Sequence, residues 1–179
     1  MTSGLRRIAV FGLLFVPSFV VFLAVYLAIF PVYDQVVVAS ANFVTKQFAH
    51  PTHLVVLERG GWQAFVFIPE RGQQPMRDWF AGTAHLIYLS LVTLPALLLA
   101  TPVPWRKRLG WLALGLPLAF ISHVLSAILL TRGTHCLQQA PGTFSCLWAL
   151  RVAYTSGQLF AAAFWIPLTW RHWFPPERG

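Results

Sequence analysis

Apolar residues along this chain fall into four long runs separated by short polar or basic punctuation. The runs cover about 8–30, 79–101, 109–130 and 147–170. Each holds about 20 apolar residues, the length an α-helix needs to cross a bilayer. The pattern predicts an all-α integral membrane protein, residues 1–179 forming one membrane domain with four transmembrane helices. Pro31 is expected to bend or end the first helix, and Pro102 with Pro104 to stop the second. Two outer segments are left over, 31–78 and 131–146.

The first outer segment changes its period along its length. Val36, Val37, Phe43, Val44 and Phe48 recur near helical spacing, which predicts an amphipathic helix lying on the membrane. Residues 53–69 read HLVVLERGGWQAFVFIP, two β-prone runs around Glu58-Arg59-Gly60-Gly61. That is the signature of a short β-hairpin, with the glycines supplying positive φ in the turn. Gln73-Gln74-Pro75 then leads towards the second helix near Asp78.

Composition agrees with the pattern. The chain is 57% hydrophobic and 10% charged, with a mean hydropathy of +0.64, where soluble domains carry about 25% charged residues. The formal charge of +8 would suit a nucleic-acid partner if it were gathered in a patch, but the basic residues stand at the ends of the apolar runs. Their placement fixes a topology instead. Arg6, Arg7, Arg106, Lys107, Arg108, Arg171 and Arg178 crowd the short segments, which the positive-inside rule assigns to the cytoplasm. Lys46, Arg59, Arg71, Arg77 and Arg132 fall outside, mixed with Asp34, Glu58, Glu70 and Asp78. Trp105, Trp111, Trp165, Trp170 and Trp173 mark the inner interface as an aromatic belt. The expected location is therefore a bacterial inner (plasma) membrane, multi-pass, with both termini cytoplasmic. A cleaved signal peptide competes for the first run, since Ala39-Ser40-Ala41 has the small-x-small form. The run is longer than a signal core, and Tyr33-Asp34-Gln35 separates it from that site.

Candidate chemistry is sparse. Cys136 and Cys146 both fall in the second outer segment, where a disulfide is expected on the oxidising side of the membrane. The sharper alternative makes Cys146 the nucleophile of a thiol-dependent membrane peptidase, with His135 as its base. His85 with Tyr88, His123 with Ser126, and Arg151 with Tyr154 and Gln158 form short polar stripes near the outer ends of three helices. Ionisable residues at that depth usually face a bundle interior or a cavity, so one reading is a shared polar pocket open to the outside. The other is interhelical hydrogen bonding, with Arg151 snorkelling to the interface. His85 and His123 could alternatively be axial ligands of a haem-binding membrane subunit. No phosphate loop, HExxH or GxSxG motif is present, and no metal site or cofactor is expected. The four predicted membrane segments contain no Asp or Glu, which argues against a proton or cation carrier.

The order of elements from Val38 onward resembles the core of the exosortase/archaeosortase family, multi-spanning peptidase-like enzymes that process the sorting tails of exported proteins. The hairpin-like segment 53–69, the basic turn Trp105-Arg106-Lys107-Arg108 and the helix PLAFISHVLSAILL at 117–130 carry the resemblance, over about three quarters of the chain. Phe80-Ala81-Gly82 stands where that family has a Cys-Ser-Gly-type motif. His123 and Ser126 stand where it has Asn and Arg, and Tyr154-Thr155-Ser156-Gly157 lacks its His. Without thiolate, base and electrostatic stabiliser the family chemistry has no carrier. The resemblance therefore implies a relative without catalytic residues, of the exosortase H-associated membrane protein type. It would be an accessory subunit that binds an exosortase-like membrane partner or its substrate tail.

Overall fold

A computed structural model describes residues 2–48, 54–58, 64–68, 76–77, 87–139 and 143–173. Four helices make up most of it: α1 (Thr2–Phe48), α2 (Ser90–Ala100), α3 (Trp105–Gln139) and α4 (Phe144–Trp173). Three short strands lie between α1 and α2, β1 (Leu54–Glu58), β2 (Ala64–Ile68) and β3 (Met76–Arg77), in the order β1-β2-β3. β1 pairs antiparallel with β2 from Leu54↔Ile68 to Glu58↔Ala64, and β2 pairs antiparallel with β3 through Val66↔Arg77 and Phe67↔Met76. The Arg59-Gly60-Gly61 turn lies outside the described residues.

Several helix boundaries differ from those the sequence predicts. α1 does not end near Phe30, and no separate amphipathic helix follows it up to Phe48; one continuous helix of 47 residues runs through Pro31. The physical reason is a balance of costs. A proline inside a helix costs about 3 kcal/mol. Stopping the helix there would give up the packed face that Asp34, Val37, Val38 and Ala41 carry beyond it. The same tolerance recurs at Pro95 in α2, Pro117 in α3 and Pro167 in α4.

α2 does end as predicted. Thr101 is extended at φ −73° and ψ 132°, the conformation a following proline imposes. The described helix begins at Ser90, and residues 79–86 of the expected span lie outside the described residues. α3 starts at Trp105, before the expected 109, because the Pro104 carbonyl accepts from Lys107 N (3.0 Å) and Arg108 N (3.3 Å). The basic triplet therefore sits in the first turn of the helix. Arg108 Nε also donates to the Val103 carbonyl at 2.9 Å. At its other end α3 does not stop near Leu130 but continues to Gln139, so most of the expected outer segment 131–146 is helical. No proline occurs there before Pro141, so nothing forces an earlier stop. α4 begins at Phe144, where the Thr143 carbonyl accepts from Cys146 N (3.1 Å) and Leu147 N (3.3 Å), and runs past the expected 170 to Trp173.

Among the described residues two helices are long and apolar enough to cross a membrane, at Ile8–Thr45 and Trp105–Leu130. α2 is apolar but 11 residues long. α4 has the length, but its row Arg151, Tyr154, Thr155, Ser156 and Gln158 interrupts its apolar character.

The chain divides into two compact units. The first comprises residues 1–30, 89–119 and 159–179. Its core is Leu94, Leu98 and Ala161, with Leu97, Trp111, Leu112, Phe160, Phe164 and Trp165 packed around them. Gly115 is held tightly there, since a Cβ would come within 2.8 Å of Leu94 and 2.9 Å of Phe164. Trp165 Nε1 donates to Thr101 Oγ1 at 2.8 Å, and that hydroxyl donates in turn to the Leu97 carbonyl at 2.7 Å. The second unit, residues 31–88 and 120–158, holds most of the candidate polar residues.

Candidate functional site

The second unit is built on one stripe from each of three helices. On α1, Asp34, Val37, Val38 and Ala41 recur at helical spacing and are all buried. On α3 the buried row is His123, Ser126, Ala127, Leu130 and Gly133. On α4 it is Cys146, Ala153 and Gly157. Two glycines let backbones close up. A Cβ at Gly157 would lie 2.7 Å from the Ile87 carbonyl oxygen and 3.0 Å from its Cα. A Cβ at Gly133 would lie 2.9 Å from Leu150 and 3.3 Å from the Cys146 carbonyl.

Polar groups are set into this packing. The Tyr33 hydroxyl and His123 Nδ1 lie 2.7 Å apart and share a hydrogen bond whose direction follows the histidine tautomer. The Tyr33 and Tyr88 rings flank the imidazole at centroid distances of 5.9 and 5.0 Å, and meet each other edge to face at 5.5 Å. Phe120 adds a third aromatic edge against Tyr33 at 6.1 Å. His123 is wholly buried. One turn further along α3, Ser126 Oγ lies 3.0 Å from Ser156 Oγ, a hydrogen bond between α3 and α4.

Cys136 and Cys146 form a disulfide with Cα atoms 5.5 Å apart, as the sequence predicts. It ties the last turn of α3 to the first turn of α4. A thiolate at Cys146 would require that bond to be reduced, and Cys146 is itself buried.

The structure thus brings some of the expected pocket together and disperses the rest. Tyr88 and His123 are in contact, and Ser126 joins α4 through Ser156. Tyr154 is half-buried. Arg151 and Gln158 do not join them; both are exposed on α4, away from buried Ala153 and Gly157. The reason is helical phase, since at about 100° per residue Arg151 is turned about 200° from Ala153 and Gln158 about 100° from Gly157. His85 and Phe80 lie outside the described residues.

Two residues that matter here were missed from sequence. Tyr33 supplies the hydroxyl at His123, and Asp34 is a carboxylate buried inside an apolar helix. Once α1 runs through Pro31, a membrane-length segment contains an acid after all, correcting the expectation of none. The spacing Asp34, Val37, Val38, Ala41 was the available signal, one residue out of phase with the apolar set chosen from sequence.

The arrangement can hold helices in register, and it places an ionisable group and an imidazole away from solvent. A haem iron at His123 would bind through Nε2, since Nδ1 faces the Tyr33 hydroxyl, and the other expected ligand, His85, lies outside the described residues. Among the described residues no group of three or more His, Cys, Asp or Glu is placed to hold a metal. No protein-family model, no curated protein and no solved structure matches this chain.

Proposed function

We propose that the chain is a multi-pass inner-membrane accessory subunit without chemistry of its own, serving an exosortase-like sorting system by binding the enzyme or its substrate tail. One observation carries this reading. His123 and Ser126, at the positions where the resembling family has Asn and Arg, are buried and hydrogen-bonded within the chain, to Tyr33 and Ser156. Side chains used to join helices are not free to stabilise a reacting carbonyl. The remaining nucleophile candidate, Cys146, is held in a disulfide.

In this reading four spans cross the membrane, with α2 forming the inner part of the second and α4 the fourth. Arg106 to Arg108 at the start of α3 face the cytoplasm, and the disulfide at its far end faces the oxidising side. The paired strands belong to the outer segment and offer an extended edge to a peptide tail.

The test is isolation of the full-length chain from its native membrane in mild detergent, with identification of what comes with it. Recovery of a multi-spanning peptidase-like protein whose tail processing fails when this chain is deleted is the expected result. Peptide cleavage by the chain alone, or unchanged processing on its deletion, would overturn the proposal.

A further inference from the structure

The exposed faces of the apolar helices are not alike. On α1 Leu13, Val20 and Leu27 are exposed, and on α3 Leu114, Ile121 and Leu125, all compatible with lipid. On α4 the exposed face runs through Trp148, Arg151, Thr155, Gln158 and Leu159. Arg151, Thr155 and Gln158 are spaced i, i+4 and i+7, one continuous polar stripe. The Thr155 hydroxyl is satisfied by its own helix, donating to the Arg151 carbonyl at 2.8 Å. Among the described residues no acceptor meets the Arg151 guanidinium and no partner meets the Gln158 amide.

Snorkelling accounts for Arg151, which lies two turns from the start of α4 and has a long stem. It does not account for Gln158. That residue is at the middle of the 30-residue helix, roughly 21 Å along the axis from Phe144. A glutamine is too short to reach either interface from there, and its amide would face hydrocarbon with its hydrogen bonds unmade.

We infer that this stripe is a docking face for one transmembrane helix of a different protein. That helix would carry a carboxylate opposite Arg151 and a hydrogen-bonding side chain about 10 Å further along, opposite Gln158. A second copy of this chain does not fit. The one carboxylate among the described helical residues is Asp34, and it is buried. A parallel symmetric pair would also set two Arg151 guanidinium groups at the same depth against each other. The inference deepens the proposed accessory role by naming its membrane contact, and rests on α4 crossing the membrane.

The test places a photo-crosslinking amino acid at Thr155 of the full-length chain in its native membrane, with a control at Leu13. A discrete adduct with another membrane protein is expected at Thr155 and not at Leu13. Its yield should fall at least about tenfold in Arg151→Glu and in Gln158→Leu. Abundance and the Cys136–Cys146 disulfide should be retained in both. Replacing the captured carboxylate by lysine should restore the adduct with Arg151→Glu. Adducts with lipid only, an adduct of two copies of this chain, a yield indifferent to Arg151→Glu, or loss of the disulfide in that variant would each overturn the inference. A charge-dependent adduct with a protein outside any sorting system would uphold the docking face and remove the proposed accessory role. Finding the two ends of α4 on one side of the membrane would remove both.

Discussion

At the scale of single residues, tight helix contacts depend on what is missing from a side chain. Gly157 stands against the backbone of Ile87, which cannot rotate away as a side-chain tip could. Gly157→Ala should therefore lower stability by about 1–3 kcal/mol, read from thermal unfolding in detergent. Gly12→Ala, where nothing lies within 4 Å, should be neutral or stabilising by up to about 1 kcal/mol. Equal effects at the two sites would refute the close approach. Tyr33 and His123 make the second case. A double-mutant cycle of Tyr33→Phe and His123→Phe should show a coupling of about 0.6–1.7 kcal/mol, the range for hydrogen bonds between membrane helices. Additive effects would mean that the hydroxyl and imidazole do not interact. His123 and Ser126 were legible in the sequence because polar residues at i and i+3 stand out in an apolar run. Tyr33 and Asp34 were not, because Pro31 masked the helix that carries them. Arg151 and Gln158 were visible as polar, but which way they face depends on helix phase, which packing sets.

At the scale of elements, the α3–α4 pair is closed by Gly133, by the Ser126–Ser156 hydrogen bond and by the disulfide. Protein isolated without reductant should offer neither thiol to an alkylating reagent; quantitative labelling of both would show that the bond does not form. The Cys136→Ser, Cys146→Ser double variant should lose about 2–3 kcal/mol, the cost of reopening a loop of about ten residues. The cysteine pair was readable from spacing and compartment alone. Helix ends were readable only where the local chemistry was decisive. Pro102 stops α2 because it fixes the residue before it as extended, whereas Pro31 is overruled by the packed face the helix carries beyond it. α3 ends nine residues beyond the expected Leu130, because no proline falls before Pro141 and Gly133 belongs to the packed helix face.

At the scale of the whole molecule, the clustering of basic residues and the lengths of the apolar runs make a claim about sidedness. Reporter fusions at Gly179 and after Gln73 should lie on opposite sides of the membrane, as both termini inside and the first outer segment outside require. Matching sidedness would end the four-span reading. Asp34 adds a consequence in time. Asp34 lies just beyond the expected first span, 8–30, and its carboxylate is buried only once the chain around it has packed. α1 leaves the ribosome first, while the rest of the unit that buries Asp34 includes residues 120–158. At about 5–20 residues per second, several to some twenty-five seconds of synthesis separate the acid from that shelter. Over that interval Asp34 stays at the water boundary, at the outer end of the expected first span. The assembly of this protein is thus set by the order in which the ribosome delivers its helices, and a slowed ribosome between residues 48 and 120 would prolong its most vulnerable state.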